Sequence, residues 1–197
     1  MRAWYLGLAA LALSAPFAAD LALPDAPWAH EAEATTSVSL TLEELVELSR
    51  SVAVIEPVER SSRWEEVGDS KRIVTYTKLV VHDVVSGEKL EEVWVRTLGG
   101  KVGKVGQHVA GEAQFTLGER AVVFLAKAGD VNVVAGMAQG HYPLIEKDGE
   151  LRLKSSPDMG NLVDKRGPRE SARTKLIGKK LSEASQSIKD AAKALKK

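Results

Sequence analysis

The chain has 197 residues, no cysteine, and a formal charge of zero from 27 basic and 27 acidic side chains. That composition excludes disulfide staples, thiol nucleophiles and a lipid-modified cysteine, and the length suits one domain with terminal extensions rather than two ordinary domains. The neutral total conceals a charge dipole: residues 20–164 carry 24 acidic against 15 basic side chains, a net −9, and residues 165–197 carry 11 basic against 3 acidic, a net +8.

Arg2, an apolar run from Ala3 to Phe17 and the small pair Ala18-Ala19 form the pattern of a secretory signal peptide over residues 1–19. The mature chain is therefore expected to begin near Asp20 and to work in the periplasm, at the outer cell surface or outside the cell. No later stretch is apolar and long enough for a transmembrane span. Residues 20–38, rich in Ala, Pro and acidic side chains around Trp28, predict a flexible leader with no fixed structure of its own.

The folded domain is expected over residues 39–155. Thr41 with Glu44 is a capping-box pair, and Leu42, Leu45 and Val46, with Ser49 as a further position, trace one face of a short amphipathic helix. Residues 52–58 are dominated by β-branched side chains and predict a strand that reaches an edge or bend at Pro57. Three hairpins follow. Residues 73–85 and 90–97 flank Ser86-Gly87; residues 120–126 and 131–135 flank Ala128-Gly129-Asp130; Leu144-Ile145 and residues 151–153 flank Asp148-Gly149, a turn pair that tolerates positive φ at both positions. The 73–85 stretch has apolar residues on both phases in its second half, which predicts a bent strand serving two sides of one core. Five to seven strands, one short helix and mostly antiparallel connections predict a mainly β fold, a small antiparallel barrel with a short N-terminal helix and a C-terminal amphipathic helix.

The order LEELVELSRSVAVIEPV, a long strand ending VVSG, then VWV, then GERAVVFL resembles secreted bacterial proteins with an OB-like, netrin-like barrel, the fold shared with tissue inhibitors of metalloproteinases. The resemblance covers about residues 40–144 and is one of strands and turns. It implies an OB-like barrel and admits protease inhibition through barrel-edge loops. Those inhibitors use an N-terminal cysteine to chelate the protease zinc, and this chain has no cysteine, so that mechanism does not carry over.

The stretch Gly99-Gly100-Lys101-Val102-Gly103-Lys104-Val105-Gly106 combines glycines and lysines as phosphate cradles do, but Val105 follows Lys104 where a phosphate loop requires Ser or Thr. A flexible connection is the expected reading, with Lys101 and Lys104 as candidate contacts to an anion or glycan. The linking segment from Gly136 to Tyr142 offers Gln139 and His141 as candidate loop contacts, against simple packing of Met137 and Tyr142 on the barrel end. None of the four histidines, His30, His82, His108 and His141, lies at metal-ligand spacing with another, and no nucleophile elbow, zinc-protease helix or calcium loop occurs. The expectation is therefore a protein with no cofactor, no metal and no catalytic residues. The carboxylate pairs Glu43-Glu44, Glu65-Glu66 and Glu91-Glu92 read as solvated surface.

After a linker over residues 156–170, residues 171–197 have the spacing of a basic amphipathic helix. Ile177, Leu181, Ala184, Ile188, Ala191 and Leu195 form its apolar seam, and Gly178 weakens its start. Lys175, Lys179, Lys180, Lys189, Lys193, Lys196 and Lys197 make the helix cationic and nominate it as a surface-attachment element toward an anionic envelope surface such as lipid, lipopolysaccharide or acidic polymer. The reading to be preferred over attachment is that the segment folds back on the acidic barrel or stays partly disordered. Nucleic acid is not an expected partner, because no aromatic side chain follows Tyr142 to stack on bases. The sequence thus predicts an exported, non-enzymatic binding or structural module with an envelope surface or a protein as partner. A protease-inhibitor-like protein is the alternative, and an enzyme whose histidines and carboxylates converge only in the fold is a third reading.

Overall fold

A computed structural model describes residues 36–164, 167 and 169–196. The expected signal peptide, the leader before Thr36 and Lys197 lie outside the described residues. The elements are β1 (Thr36–Val38), α1 (Leu42–Leu48), β2 (Ser51–Val67), β3 (Ser70–Gly87), β4 (Glu92–Leu98), β5 (Gly100–Val102), β6 (Val105–Gln107), β7 (Ala121–Ala128), β8 (Val131–Val134), a 3-10 turn (Met137–Gly140), β9 (His141–Lys147), β10 (Glu150–Leu153), β11 (Asn161–Val163), α2 (Ala172–Leu176) and α3 (Leu181–Ala194). The fold is mainly β.

The main sheet runs β10-β9-β7-β2-β3-β4-β8, and β8 also pairs with β7, so β7, β2, β3, β4 and β8 close into a five-stranded ring. Every pairing in the ring is antiparallel except the closing one, a parallel contact between Val95 and Asn132 that the Asn132 Nδ2–H···O=C bond to Trp94 (2.9 Å) reinforces. Turn chemistry places the hairpins. At the β9–β10 reversal Asp148 and Gly149 sit at φ 55° and 74°, the two left-handed positions of a type I′ turn. The longest hairpin, β2–β3, turns at Gly68-Asp69, and its outer half was not foreshadowed: residues 59–66, ERSSRWEE, show no apolar alternation and are strand only because β3 pairs with them. Register shifts beside Val52, Val54 and Pro57 bend β2, and pairing with β7 ends at Ile55, two residues before Pro57.

Both faces of the central strands are buried, and this divides the core into two layers. Ala53, Ile55, Leu79, Val93, Val95, Phe115, Ala121, Val123 and Leu125 fill the ring. On the other side of the wall Val52, Val54, Val85, Val122, Phe124 and Tyr142 meet Leu42 and Leu45 of α1, Leu176 of α2, and Ala184, Ile188 and Ala191 of α3. Strand β3 serves both layers, through Leu79 inside and Val85 outside. The C-terminal segment therefore forms part of the core. Its helix is broken at Ile177–Lys180, where Gly178 has φ 79°, and the break delivers Gly178 N–H to Leu153 O and Leu153 N–H to Lys179 O on the edge of the sheet.

Two stretches expected as connectors are ordered parts of this layer. The last three leader residues, β1, pair in parallel with β11 from the linker, and Ser156 and Met159 of that linker are buried. The polar leader and linker carry no periodic signal because each contributes only three residues to the pairing. Helix α1 begins at Thr41, whose Oγ1 accepts from Glu44 N–H (3.2 Å) while Glu44 Oε2 accepts from Thr41 N–H (3.0 Å). Thr41→Ala is expected to cost about 1 kcal/mol in urea denaturation, with m unchanged.

Candidate functional site

A concavity of about 1000 Å³ lies where the ring's apolar filling gives way to polar side chains. Cross-strand register explains the change. Pro57, Leu79 and Val93 stand opposite one another on β2, β3 and β4; two positions along β3 and β4, and three along β2 across its register shift, Arg60, Thr77 and Val95 take their place, and two further on, Ser62, Thr75 and Thr97. One face thus runs from aliphatic to hydroxyl-lined without leaving the sheet. The opposite wall is the segment after β6, with His108, Glu112, Gln114, Phe115 and Leu117.

The hairpin β5–β6 lies across this floor, and Gly100 lets it do so. Its φ is 130°, and a Cβ there would lie 2.2 Å from Thr75 Oγ1 and 2.7 Å from Ser62 Oγ. Thr75 donates its one proton to Gly99 O (2.7 Å), so the 2.8 Å contact with Ser62 has Ser62 as donor. Gln107 Oε1 accepts from Ile73 N–H (2.7 Å) and ties the far strand down. The glycine-rich stretch is thus an ordered hairpin over the cleft, not a loose connection. Lys101 lines the cleft; Lys104 occupies the hairpin turn and does not.

Two buried groups set the site's electrostatics. Glu112 is 8% exposed; its oxygens accept from Leu98 N–H and Ala113 N–H (both 3.2 Å), and burial nevertheless pushes its pKa above the usual carboxylate value. Thr77 is 1% exposed, and its hydroxyl has no hydrogen-bond partner. Among the described residues five buried polar side-chain atoms lack partners, and only that of Thr77 belongs to a residue lining the cleft. The exposed Arg60 and Lys101 stand at the rim, where Arg60 Nη1 donates to Phe115 O (3.3 Å).

The other candidate contacts lie elsewhere. Gln139 is buried and acts as a clamp, accepting from Leu40 N–H (2.9 Å) and donating to Val38 O (3.0 Å). His141 is 3% exposed, bonded through Nδ1 to Ser156 Oγ (3.1 Å) and edge-on to the Phe115 ring, and burial lowers its pKa to about 4. Neither lines the cleft, because the segment linking the two hairpins includes a 3-10 turn packed against the core. Tyr142 is fully buried, as the packing reading expects, and Met137 is 37% exposed. His82 Nε2 reaches Glu56 Oε2 (2.9 Å), away from the cleft; His108, at the cleft rim, lies 3.9 Å from Asp158. No group of three or more His, Asp or Glu among the described residues is placed to hold a metal ion.

The helix lysines divide into two sets. Lys175 pairs with Glu43 (2.9 Å), Lys180 with Glu150 (2.6 Å), and Lys179 donates to Ser187 Oγ (3.2 Å). Lys189, Lys193 and Lys196 are exposed. The apolar seam faces the barrel, the fold-back arrangement rather than surface attachment, apart from Leu195, which is 45% exposed. No helix among the described residues is long and apolar enough to cross a membrane.

Arg60, Ser62, Thr75, Thr77, Thr97 and Glu112 were not singled out from sequence. The available signal was the spacing Thr75, Thr77, Leu79, which puts two hydroxyls and a core leucine on one strand face. No protein family, curated protein or solved structure matches the chain.

Proposed function

We propose that this chain is an exported, non-enzymatic binding module that seats its ligand in the cleft at the mouth of the five-stranded ring. The observation that carries the reading is the unpartnered Thr77 hydroxyl on the floor of that cleft. A buried polar group without a partner costs about 1–3 kcal/mol, and its place at the base of this cleft is accounted for by a ligand. Export rests on the apolar run behind Arg2, and the absence of cysteine fits a protein stabilised by its two core layers alone.

The reading makes a stability prediction that needs no ligand. Thr77→Val keeps the shape and removes the orphaned hydroxyl, so it is expected to raise stability by about 1 kcal/mol, seen as a higher Tm. A loss of stability would mean that the hydroxyl has a structural partner and would remove the argument. Binding is tested by mapping amide shifts against a general fragment library. Hits are expected at Thr77, Thr97, Lys101 and Glu112, and Gly100→Ala, which displaces the hairpin from Thr75 and Ser62, is expected to abolish them. Hits clustered on α3 instead would reject the cleft as the site.

A further inference from the structure

We infer that the cleft recognises a neutral, polyhydroxylated ligand, a saccharide segment, because its lining combines a buried carboxylate and a part-buried hydroxyl acceptor with cationic donors. This rests on the reading of the cleft as the ligand seat.

The hydrogen-bond balance of the lining selects the class. Ser62 gives its proton to Thr75, which leaves the Ser62 oxygen as an acceptor. Glu112 has one N–H donor on each oxygen and lone pairs left on both. Arg60 and Lys101 supply donors only, and Thr77 can do either. A phosphate, sulfate or carboxylate offers acceptors alone; it would suit Arg60 and Lys101 but bring a second negative charge beside the buried Glu112 carboxylate. An ammonium ligand would suit Glu112 and face two cations. A sugar hydroxyl both donates and accepts, so a set of them can satisfy the acceptors Glu112 and Ser62 as well as the donors Arg60 and Lys101 with no like charge brought into the cleft. Leu117, 47% exposed at the rim, offers an apolar face to the C–H side of a ring. A cleft of about 1000 Å³ has room for an oligosaccharide.

The test is titration of the protein with cellotetraose, maltotetraose and a tetramer of N-acetylglucosamine, alongside tetragalacturonate and inorganic phosphate, read by calorimetry and by amide shifts. At least one neutral tetramer is expected to bind, with shifts at Thr77, Thr97 and Glu112 and an affinity unchanged between low and moderate salt. Thr77→Val and Glu112→Gln are each expected to weaken it fivefold or more with the thermal transition still cooperative. Binding in the cleft by tetragalacturonate or phosphate alone, lost with salt, overturns the saccharide class and leaves the cleft as the seat. Neutral-tetramer binding with shifts confined to other surfaces overturns both, and no binding by any neutral tetramer overturns the class.

Discussion

Ile188→Asp is expected to unfold the whole domain, not merely to release its last helix. Ile188 is fully buried in the outer layer, packed in one cluster with residues of α1, β2, β7 and β9. The substitution removes an aliphatic side chain at a cost of about 2–5 kcal/mol and places an unpaired carboxylate in an apolar layer at a further cost of several kcal/mol. Domains of this kind have only about 5–15 kcal/mol in hand. Far-UV circular dichroism and amide dispersion should report loss of strands together with helix. Survival of a protease-resistant β core without α3 would show instead that the helix is an appendage. Leu195→Asp is the control: it lies at the exposed end of the same seam and is expected to change stability by no more than about 0.5 kcal/mol.

Acid should destabilise the domain through His141. In the unfolded chain this imidazole titrates at its ordinary value near 6.5, whereas in the fold burial lowers its pKa to about 4. Between those values the unfolded state binds the extra proton, so stability is full above about pH 6.5 and declines as pH falls toward 4. The gap corresponds to about 3 kcal/mol. Urea denaturation at a series of pH values should show the decline, and His141→Gln should flatten it. Glu112 works in the opposite sense, since its raised pKa means that protonation favours the folded state. Glu112→Gln is accordingly expected to steepen the acid loss. A wild-type profile flat from pH 7 to 4 would contradict the burial of His141.

The parts of this architecture legible in sequence were those specified locally. Asp148-Gly149 and Gly129-Asp130 carry their turns in two residues each, and the Thr41–Glu44 cap marks α1 without reference to anything distant. The Ser86-Gly87 turn is corrected by the fold, since both residues continue β3 opposite Val52 and Ser51 and the chain reverses into β4 over residues 88–91. The outer half of β2 was hidden because its strand character comes from pairing with β3 rather than from burial. The amphipathic seam through Ile188 was visible, but an apolar stripe reads the same whether it meets hydrocarbon or a β-sheet, and only the fold supplies Val52, Val122 and Phe124 as its partners. The cleft was obscured for a related reason. Thr75, Thr77 and Thr97 are ordinary strand residues one at a time, and they become a polar floor only through the register of three strands. Glu112 sits on a connection with no periodicity, so nothing local distinguishes it from a solvated carboxylate.

The pairing of Thr36–Val38 with Asn161–Val163, seconded by the Ala172 N–H bond to Leu40 O, fastens the start of the described chain to the segment that leads into α2. Contacts of such wide sequence separation are slow to form, because the intervening loop must close before they contribute. A chain emerging N-terminus first can build its hairpins one by one, yet Val52, Val54, Val122 and Phe124 wait uncovered until α3 arrives. The barrel is thereby left with an adhesive flank during synthesis, and α3 serves as the latch that ends its vulnerability to aggregation.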